Sequence, residues 1–238
     1  HQQLAVALAQ RFRLIEKEIR AMPVSEIDKI PVDDLSVFRA LSQIDYDNLA
    51  LASSRSLDSW QLQYNPLRSF RPARSSQQKV SALHQPFDQN SFHFNKAFLN
   101  KEILWQGEIA GLSIRLLYNK FPFADYHGLL LINPERQNPQ FLRQQDCLNT
   151  HMVLQQLSNL DGIGLAYNSL GAYASVNHQH WQMFFAQLPY PVEHSSWTHN
   201  AGANVYPVTV EKFQTLLAAW PTIDAYQRSN ISFNLLLR

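Results

Sequence analysis

Apolar residues recur at spacings of three and four in several parts of the chain, and this pattern predicts helices. The predicted helices cover residues 1–21, 36–60, 141–157 and 208–220. Pro23 and Pro221 would end the first and the last, because proline lacks the N–H that a helix interior needs. Ser36 would cap the second helix. In the third helix, the predicted inner side consists of Phe141, Leu148, Met152 and residues 154–157.

Shorter runs rich in Ile, Leu, Tyr and Trp, separated by glycine or proline, predict strands. The predicted strands cover residues 102–109, 112–119 and 128–132, then a strand from Ile163 and a closing strand at residues 231–237. The first three should form an antiparallel meander. The chain is therefore expected to adopt an α+β fold, an antiparallel sheet backed by helices. Residues 1–60 would form an N-terminal helical extension packed on a domain of residues 61–238.

In the stretch between Tyr167 and Phe185, two histidines and a glutamine occupy alternating positions after a turn of small residues. In an extended chain, successive side chains point to opposite faces. One face therefore carries Val176, His178, His180 and Gln182, and the other carries Asn177, Gln179, Trp181 and Met183. The helix over residues 141–157 should cover the second face. The row of imidazoles on the first face predicts a functional site.

Imidazole suits phosphate chemistry near neutral pH, because its unperturbed pKa of about 6.5 leaves it largely uncharged and nucleophilic. A neutral ring that attacks phosphorus forms a phosphoramidate and divides one difficult transfer into two easier ones. The turn at residues 168–172 offers backbone N–H groups where a glycine permits close approach. These features favour a phosphate site with a histidine nucleophile. A metal site built on the same histidines is an alternative, although the sequence supplies no cysteine pair.

The same stretch closely resembles the active-site block of the GDP-hexose phosphorylases, namely GDP-L-galactose and GDP-D-glucose phosphorylase. The resemblance rests on Asn168-Ser169-Leu170-Gly171-Ala172 and on Ala174-Ser175-Val176-Asn177-His178-x-His180-x-Gln182. These enzymes belong to the histidine triad superfamily, so the resemblance implies a histidine triad-like sheet. It extends over about residues 60–238 through Gln63-x-Asn65-x-x-Arg68, Pro86-Phe87-Asp88 and Phe92-His93-Phe94-Asn95.

Two other segments relate the chain to the wider superfamily. Asn119-Lys120-Phe121-Pro122 resembles an element of the diadenosine tetraphosphate phosphorylases, at the place where the superfamily binds its nucleotide. Superfamily members commonly have Gly-His before the next strand, whereas this chain has His127-Gly128. Because a one-residue slip turns a side chain to the opposite face, no role is carried over to His127.

The resemblance implies nucleotidyl transfer through a covalent nucleotidyl-histidine. His180 would attack the α-phosphorus of a nucleoside diphosphate sugar, with GDP-hexose favoured, and release hexose 1-phosphate. Inorganic phosphate would then accept the nucleotide and leave as the nucleoside diphosphate. His178 would orient His180, and Gln182 would hold a phosphoryl oxygen. No cofactor is implied, and the implied substrate-binding residues are Asn168, Ser169, Gly171, Ser175, Asn177, Arg68, Asn119 and Lys120.

Gln182 bears on the identity of the acceptor. A histidine at this position could protonate a leaving group, but an amide can only exchange hydrogen bonds near neutral pH. A leaving group that is already a phosphate needs little protonation, so transfer between phosphates is expected. Three arginines between Arg68 and Arg74 could contact those phosphates, although the composition of this segment is equally typical of a linker.

Composition limits the partners and the location. The chain of 238 residues has 20 Lys and Arg against 19 Asp and Glu, so no nucleic-acid partner is indicated. A single cysteine, Cys147, excludes an internal disulfide and favours a reducing, cytoplasmic setting. No apolar run reaches the roughly 18 residues that a membrane span needs. Because the chain begins at His1 and ends in an apolar run before Arg238, we expect it to be trimmed.

Two functional alternatives stay open. The first is a dinucleoside polyphosphate phosphorylase, which the segment at residues 119–122 supports. The second is a nucleotide-binding regulatory protein without catalysis, since a fold and a motif do not guarantee turnover. The N-terminal helix could also lie on a membrane surface, but its polar face lacks the dense Lys and Arg of such helices. A homodimer is compatible with each of these functions.

Overall fold

The computed structural model describes residues 53–57, 60–64, 81–119, 127–186, 189–193 and 210–238, together with Lys17, Ala21 and Pro23. Within these residues the strands are β1 (Ser53–Leu57), β2 (Trp60–Tyr64), β3 (Ile103–Ile109), β4 (Leu112–Tyr118), β5 (Gly128–Ile132), β6 (Ile163–Asn168), β7 (Trp181–Phe185) and β8 (Asn234–Leu237). The helices are α1 (Gln144–Gln156) and α2 (Leu216–Arg228). Short 3-10 helices cover Ala97–Glu102, Pro134–Arg136 and Pro191–Glu193.

Strands β3 to β8 form one sheet in the order β3-β4-β5-β7-β6-β8. All neighbouring pairs in it are antiparallel. β1 and β2 form a separate antiparallel pair, in which Ser53 lies opposite Tyr64. The described part of the chain therefore confirms the predicted α+β class and the meander of β3, β4 and β5.

A two-residue turn joins β3 to β4. Ala110 and Gly111 have φ values of 52° and 74°. Positive φ at both central positions is the pattern of a type I′ turn, whose twist matches that of the two strands it joins. The turn sets the register of this hairpin, with Ile109 opposite Leu112.

The two faces of the sheet have different coverings. Helices α1 and α2 pack on one face through a buried cluster that includes Leu130, Leu165 and Trp181 of the sheet, Cys147 and Val153 of α1, and Ile223 of α2. On the other face, Phe94 and Leu99 pack on Leu117 and Leu131. Leu117 shares its face with Gln182, since both lie opposite Leu129 in the sheet. Helix α1 therefore covers the face opposite Gln182, as predicted.

The predicted helix over residues 36–60 is wrong at its end. β1 occupies Ser53–Leu57 and β2 begins at Trp60, so main-chain pairing between two strands replaces the helical hydrogen bonds there. This hairpin also crosses the predicted domain boundary after residue 60. The rest of that predicted helix, and residues 1–21 apart from the helical Lys17 and Ala21, lie outside the described residues.

Helix α2 differs from the prediction at both ends. It begins at Leu216, where the hydroxyl of Thr215 accepts a hydrogen bond from the N–H of Ala218 over 3.1 Å. It continues through Pro221 to Arg228, although proline was expected to end it. Pro221 is exposed and removes one main-chain donor, and burial of the helix's apolar face in the core offsets that loss.

Helix α1 begins three residues later than predicted, because the Asp146 carboxylate accepts from the main-chain N–H of Arg143 over 2.8 Å and caps the first turn. Its predicted inner side is confirmed for Leu154 and Leu157, which pack against the core, but is wrong for Leu148, which is exposed. The fully buried positions are Asp146, Cys147, Asn149, Thr150 and Val153. Within the described ranges, no helix combines the length and apolar character that a membrane span needs.

Candidate active site

β7 begins at Trp181, later than the extended run from Val176 that the alternation predicts. The main chain bends at residues 176–178 before the strand starts. The predicted division between two faces nevertheless holds at Val176 and within β7. Trp181 and Met183 pack into the helix-covered core, whereas Val176 packs on the opposite side. Gln182 shares the side of Val176, because side chains alternate along the strand.

His178 is buried, and the main chain fixes the tautomer of its ring. The main-chain N–H of Phe94 donates to Nδ1 over 3.1 Å, so the proton of the neutral ring lies on Nε2. Burial, together with the neighbouring His180, lowers the pKa of His178 to about 3. His178 is therefore a fixed, uncharged ring near neutral pH.

His180 is oriented by the main chain two residues before it. Its Nδ1 lies 2.7 Å from the carbonyl oxygen of His178, which can only accept a hydrogen bond. The proton of a neutral His180 ring therefore lies on Nδ1, and Nε2 carries the lone pair. The ring is buried and meets Phe94 edge to face, with 4.9 Å between centroids. The lone pair on Nε2 is therefore the one with which this ring can act as a nucleophile.

A loop before β3 covers these two rings. Phe94 stacks on His178 with 5.8 Å between centroids, and Phe87 contacts His178 and His93, each at 5.2 Å. His93 is buried, its Nδ1 accepts from the N–H of Asn95 over 3.2 Å, and burial lowers its pKa. The sequences of these residues resemble those of the phosphorylases, but the resemblance implies no role for them. Their contacts with the histidines appear only in the tertiary structure.

Arg115 of β4 fastens this loop to the sheet, a role that no sequence motif indicates. Its Nη1 donates to the carbonyl of Phe94 over 3.3 Å and to Oδ1 of Asn95 over 2.9 Å. Its Nε donates to Oε1 of Gln106 over 3.2 Å. Burial lowers the pKa of the guanidinium. Arg115 thus supports the residue whose N–H and ring hold His178.

The predicted anion-binding turn follows β6, and the protein itself uses part of its hydrogen-bonding capacity. The N–H of Ser169 donates to the carbonyl of Phe233 over 3.1 Å, and its Oγ accepts from the Phe233 N–H over 2.9 Å. The N–H of Ala172 donates to the Ser169 carbonyl. Oδ1 of Asn168 accepts from Nδ2 of Asn234 over 2.7 Å. Phosphate contact by Asn168 and Ser169 stays a prediction.

Gly171 and Ser175 lie on the surface of this region. Gly171 has a φ of +79°, a conformation that favours glycine, and a Cβ there would lie 2.5 Å from Oγ of Ser232. The turn therefore approaches Ser232 closely, and a larger residue at position 171 would disturb it. Ser175 is exposed, as a substrate contact would require.

Asn177 joins two separate segments to the site. Its Oδ1 accepts from the main-chain N–H of Gln140 over 2.9 Å. Its Nδ2 donates to the carbonyls of Gln85 and Pro86 over 3.1 and 2.9 Å. Asn177 therefore holds the loop at residues 85–86, in addition to the substrate contact predicted for it.

Asn119 lies at the end of β4, beside His127. Its Nδ2 is 3.1 Å from Nε2 of His127, and its N–H donates to the His127 carbonyl over 3.2 Å. This pair extends the β4–β5 register by one residue, so the buried His127 faces the same side as Gln182. Arg68 and Lys120 lie outside the described residues.

A metal site would need at least three protein ligands around one point. Across the residues that the structure describes, no three His, Cys, Asp or Glu side chains are arranged in this way. Nδ1 of His178 already accepts a hydrogen bond from the Phe94 N–H, so that lone pair is not available to a metal.

A family model described as "GDPGP1-like, N-terminal domain" matches residues 58–184, from the start of β2 into β7. The chain belongs to this family. It is 29% identical over 201 residues to GDP-L-galactose phosphorylase 2 of Arabidopsis thaliana, covering 69% of this chain and 46% of that protein. It is 33% identical over 132 residues to GDP-D-glucose phosphorylase 1 of Danio rerio, covering 51% and 35%. The chain thus spans less than half the length of these curated relatives.

The resemblance to the GDP-hexose phosphorylases seen in the sequence is thereby confirmed at the level of the family. Among solved structures, yeast Ap4A phosphorylase in complex with Ap4A superposes with a TM-score of 0.44 and 17% sequence identity. That superposition covers 78% of this chain and 70% of the yeast protein.

Proposed function

We propose that the protein catalyses nucleotidyl transfer, namely the phosphorolysis of a GDP-hexose to hexose 1-phosphate and GDP. The observation that carries this proposal is the 2.7 Å contact between Nδ1 of His180 and the carbonyl of His178, because it leaves the lone pair on Nε2. The names of the relatives, GDP-L-galactose phosphorylase and GDP-D-glucose phosphorylase, support the substrate class.

In the first half-reaction, Nε2 of His180 forms a bond to the α-phosphorus, and the bond from that phosphorus to the bridging oxygen breaks. The electron pair leaves with hexose 1-phosphate, which needs little protonation. In the second half-reaction, an oxygen of inorganic phosphate bonds to the same phosphorus, the N–P bond breaks and GDP departs. Throughout, the hydrogen bond from Nδ1–H to the His178 carbonyl stabilises the positive charge that develops on the ring.

The remaining predicted residues have proposed supporting roles. Gln182 would donate a hydrogen bond to a non-bridging phosphoryl oxygen, and His178 would orient the nucleophile through its carbonyl. The proposed contacts with nucleotide or phosphate are Asn168, Ser169, Gly171, Ser175, Asn177, Asn119, Arg68 and Lys120. A cytoplasmic setting is proposed from the single cysteine, Cys147, which is buried in the core and whose pKa burial raises to about 12.

The test uses GDP-hexose labelled on the α-phosphorus. The wild-type protein should acquire an acid-labile label, the mark of a phosphoramidate, and should release it as GDP when phosphate is added. His180→Ala should acquire no label. His151→Ala is the matched control, since His151 lies on α1, the helix that covers the opposite face of the sheet, and it should be labelled like the wild type.

The same assay separates the alternative functions. ADP-hexose, UDP-hexose and diadenosine tetraphosphate are offered in parallel, and faster labelling from the tetraphosphate would identify a dinucleoside polyphosphate phosphorylase. A wild-type protein that binds GDP but acquires no label from any of these compounds would be a nucleotide-binding protein without catalysis, and the proposal would be rejected.

A further inference from the structure

Gln140 lies in the segment before α1, and its side chain is only 1% exposed. Its Nε2 donates to the carbonyl of Asn168 over 2.9 Å and to the carbonyl of His180 over 3.2 Å. Its Oε1 accepts from the N–H of His180 over 2.9 Å. One buried amide therefore binds both main-chain polar groups of the proposed nucleophile.

The amide occupies the place where the ladder between β6 and β7 would otherwise continue. The last pair of that ladder is Ala166 opposite Gln182. In the same register, Tyr167 and Trp181 come next, and Asn168 and His180 would face each other after them. Instead, both contact the amide of Gln140. A primary amide presents a donor and an acceptor as a peptide group does, so it can replace a strand partner at this position.

We propose that Gln140 is a positioning residue for the nucleophile, an assignment that rests on the proposed function. Gln140 fixes the main chain of His180, while the carbonyl of His178 fixes its ring. These two restraints together set the direction of Nε2. A misplacement of about 1 Å can cost roughly 100-fold in rate, because attack on phosphorus needs close alignment. Gln140 also contacts Asn168 and Asn177, so the nucleophile and two proposed substrate contacts form one connected unit.

A second glutamine offers a matched control. Nε2 of Gln227 in α2 donates to the carbonyl of Leu142 over 2.9 Å, and its Oε1 accepts from the Leu142 N–H over 3.1 Å. This side chain is also buried. Replacing either glutamine by methionine leaves buried main-chain groups unpaired, so both variants should lose stability. Only the Gln140 contact reaches His180, which separates positioning from folding.

The first experiment measures single-turnover formation of the nucleotidyl-histidine from α-labelled GDP-hexose, with rates expressed per folded molecule. Gln140→Met should slow this step by about 100-fold, the cost of a misplaced reacting group. Its dissociation constant for GDP-hexose should change less than this rate, because the side chain is buried and its hydrogen bonds go to main-chain groups. Gln227→Met should retain the wild-type rate.

The second variant, Gln140→Glu, keeps the shape of the side chain and adds a pH readout. An ionised carboxyl cannot donate to the carbonyls of Asn168 and His180, but a protonated carboxyl donates one hydrogen bond and accepts another. The labelling rate of Gln140→Glu relative to the wild type should therefore rise as the pH is lowered. A residue that served folding alone would not show this recovery in the rate per folded molecule.

Each outcome decides the proposal. A wild-type rate in Gln140→Met, or equal losses in Gln140→Met and Gln227→Met, would overturn the positioning role. If Gln140→Met does not fold, the labelling rate of Gln140→Glu provides the test. A ratio of this rate to the wild-type rate that does not change with pH would overturn the role. A wild-type protein that acquires no label rejects the proposed function and this role with it, which is a different result from a labelled wild type with an unaffected variant.

Discussion

The main-chain N–H of Phe94 donates a hydrogen bond to Nδ1 of His178 over 3.1 Å, across 84 residues of sequence. The ring of Phe94 also contacts the rings of His178 and His180. One loop residue before β3 thereby fixes the tautomer of His178 and also packs against His180. Substitutions in this loop should therefore alter His178 and His180, which lie just before β7.

His178→Asn should make the free energy of unfolding depend less steeply on pH in the acid range. The pKa of His178 is about 3 in the folded protein, against about 6.5 in the unfolded chain. As the pH falls between these values, the unfolded chain binds a proton that the folded protein does not. The free energy of unfolding should then fall by up to about 1.4 kcal/mol per pH unit from this group, with full stability above about pH 6.5.

Urea denaturation between pH 7 and pH 4 measures this slope. Asparagine can still accept from the N–H of Phe94 but cannot titrate, so the slope of His178→Asn should be smaller than that of the wild type. Part of the slope should remain, because burial also lowers the pKa of His93. Identical slopes would mean that His178 does not stay neutral in the fold.

Arg115→Met should destabilise the protein by about 1–3 kcal/mol, the usual effect of losing hydrogen bonds from a charged group. Arg115 is partly buried and donates to Phe94 and Asn95. The matched control is Arg228→Met, which breaks an exposed ion pair with Asp224 on α2 and should cost about 0–1 kcal/mol. Urea midpoints measure both changes. Equal losses of stability in the two variants would mean that Arg115 does not hold the loop on the sheet.

Gly171→Ala should cost more than Gly111→Ala. Both glycines have positive φ, +79° and +74°, so each substitution should cost about 1–2 kcal/mol in backbone conformation. A Cβ at position 111 meets nothing within 4 Å, whereas at position 171 it lies 2.5 Å from Oγ of Ser232. Adding Ser232→Ala to Gly171→Ala should remove the excess. Thermal unfolding is measured for the wild type, Gly171→Ala, Gly111→Ala and the double variant. If the double variant is still destabilised more than Gly111→Ala, the contact with Ser232 does not cause the difference.

Gln182→His should change the products if the amide only holds a phosphoryl oxygen. Histidine has comparable reach and can exchange a proton with water, a contribution worth typically about 10²–10⁴-fold where the geometry is right. The variant should therefore hydrolyse more of the nucleotidyl-histidine to the monophosphate. The readout is the ratio of monophosphate to diphosphate at fixed phosphate. A folded, substrate-binding variant with the wild-type ratio would mean that another feature sets the acceptor.

The sequence by itself determined the features that depend on neighbouring residues. The meander of β3, β4 and β5 follows from short apolar runs and the Ala110-Gly111 turn. The opposite faces of Gln182 and of Trp181 and Met183 follow from simple alternation along β7. Family membership rests on a contiguous motif, so it too was visible in the chain alone.

Tertiary structure alone decided which residues support the two histidines. Phe94 holds His178 through its main-chain N–H, and Gln140 holds His180 through that residue's main-chain N–H and carbonyl. Main-chain groups are the same in nearly every residue, so no sequence pattern shows which of them will meet a side chain. Tertiary structure also decided that α2 continues through Pro221, because the proline is exposed while residues around it are buried in the core.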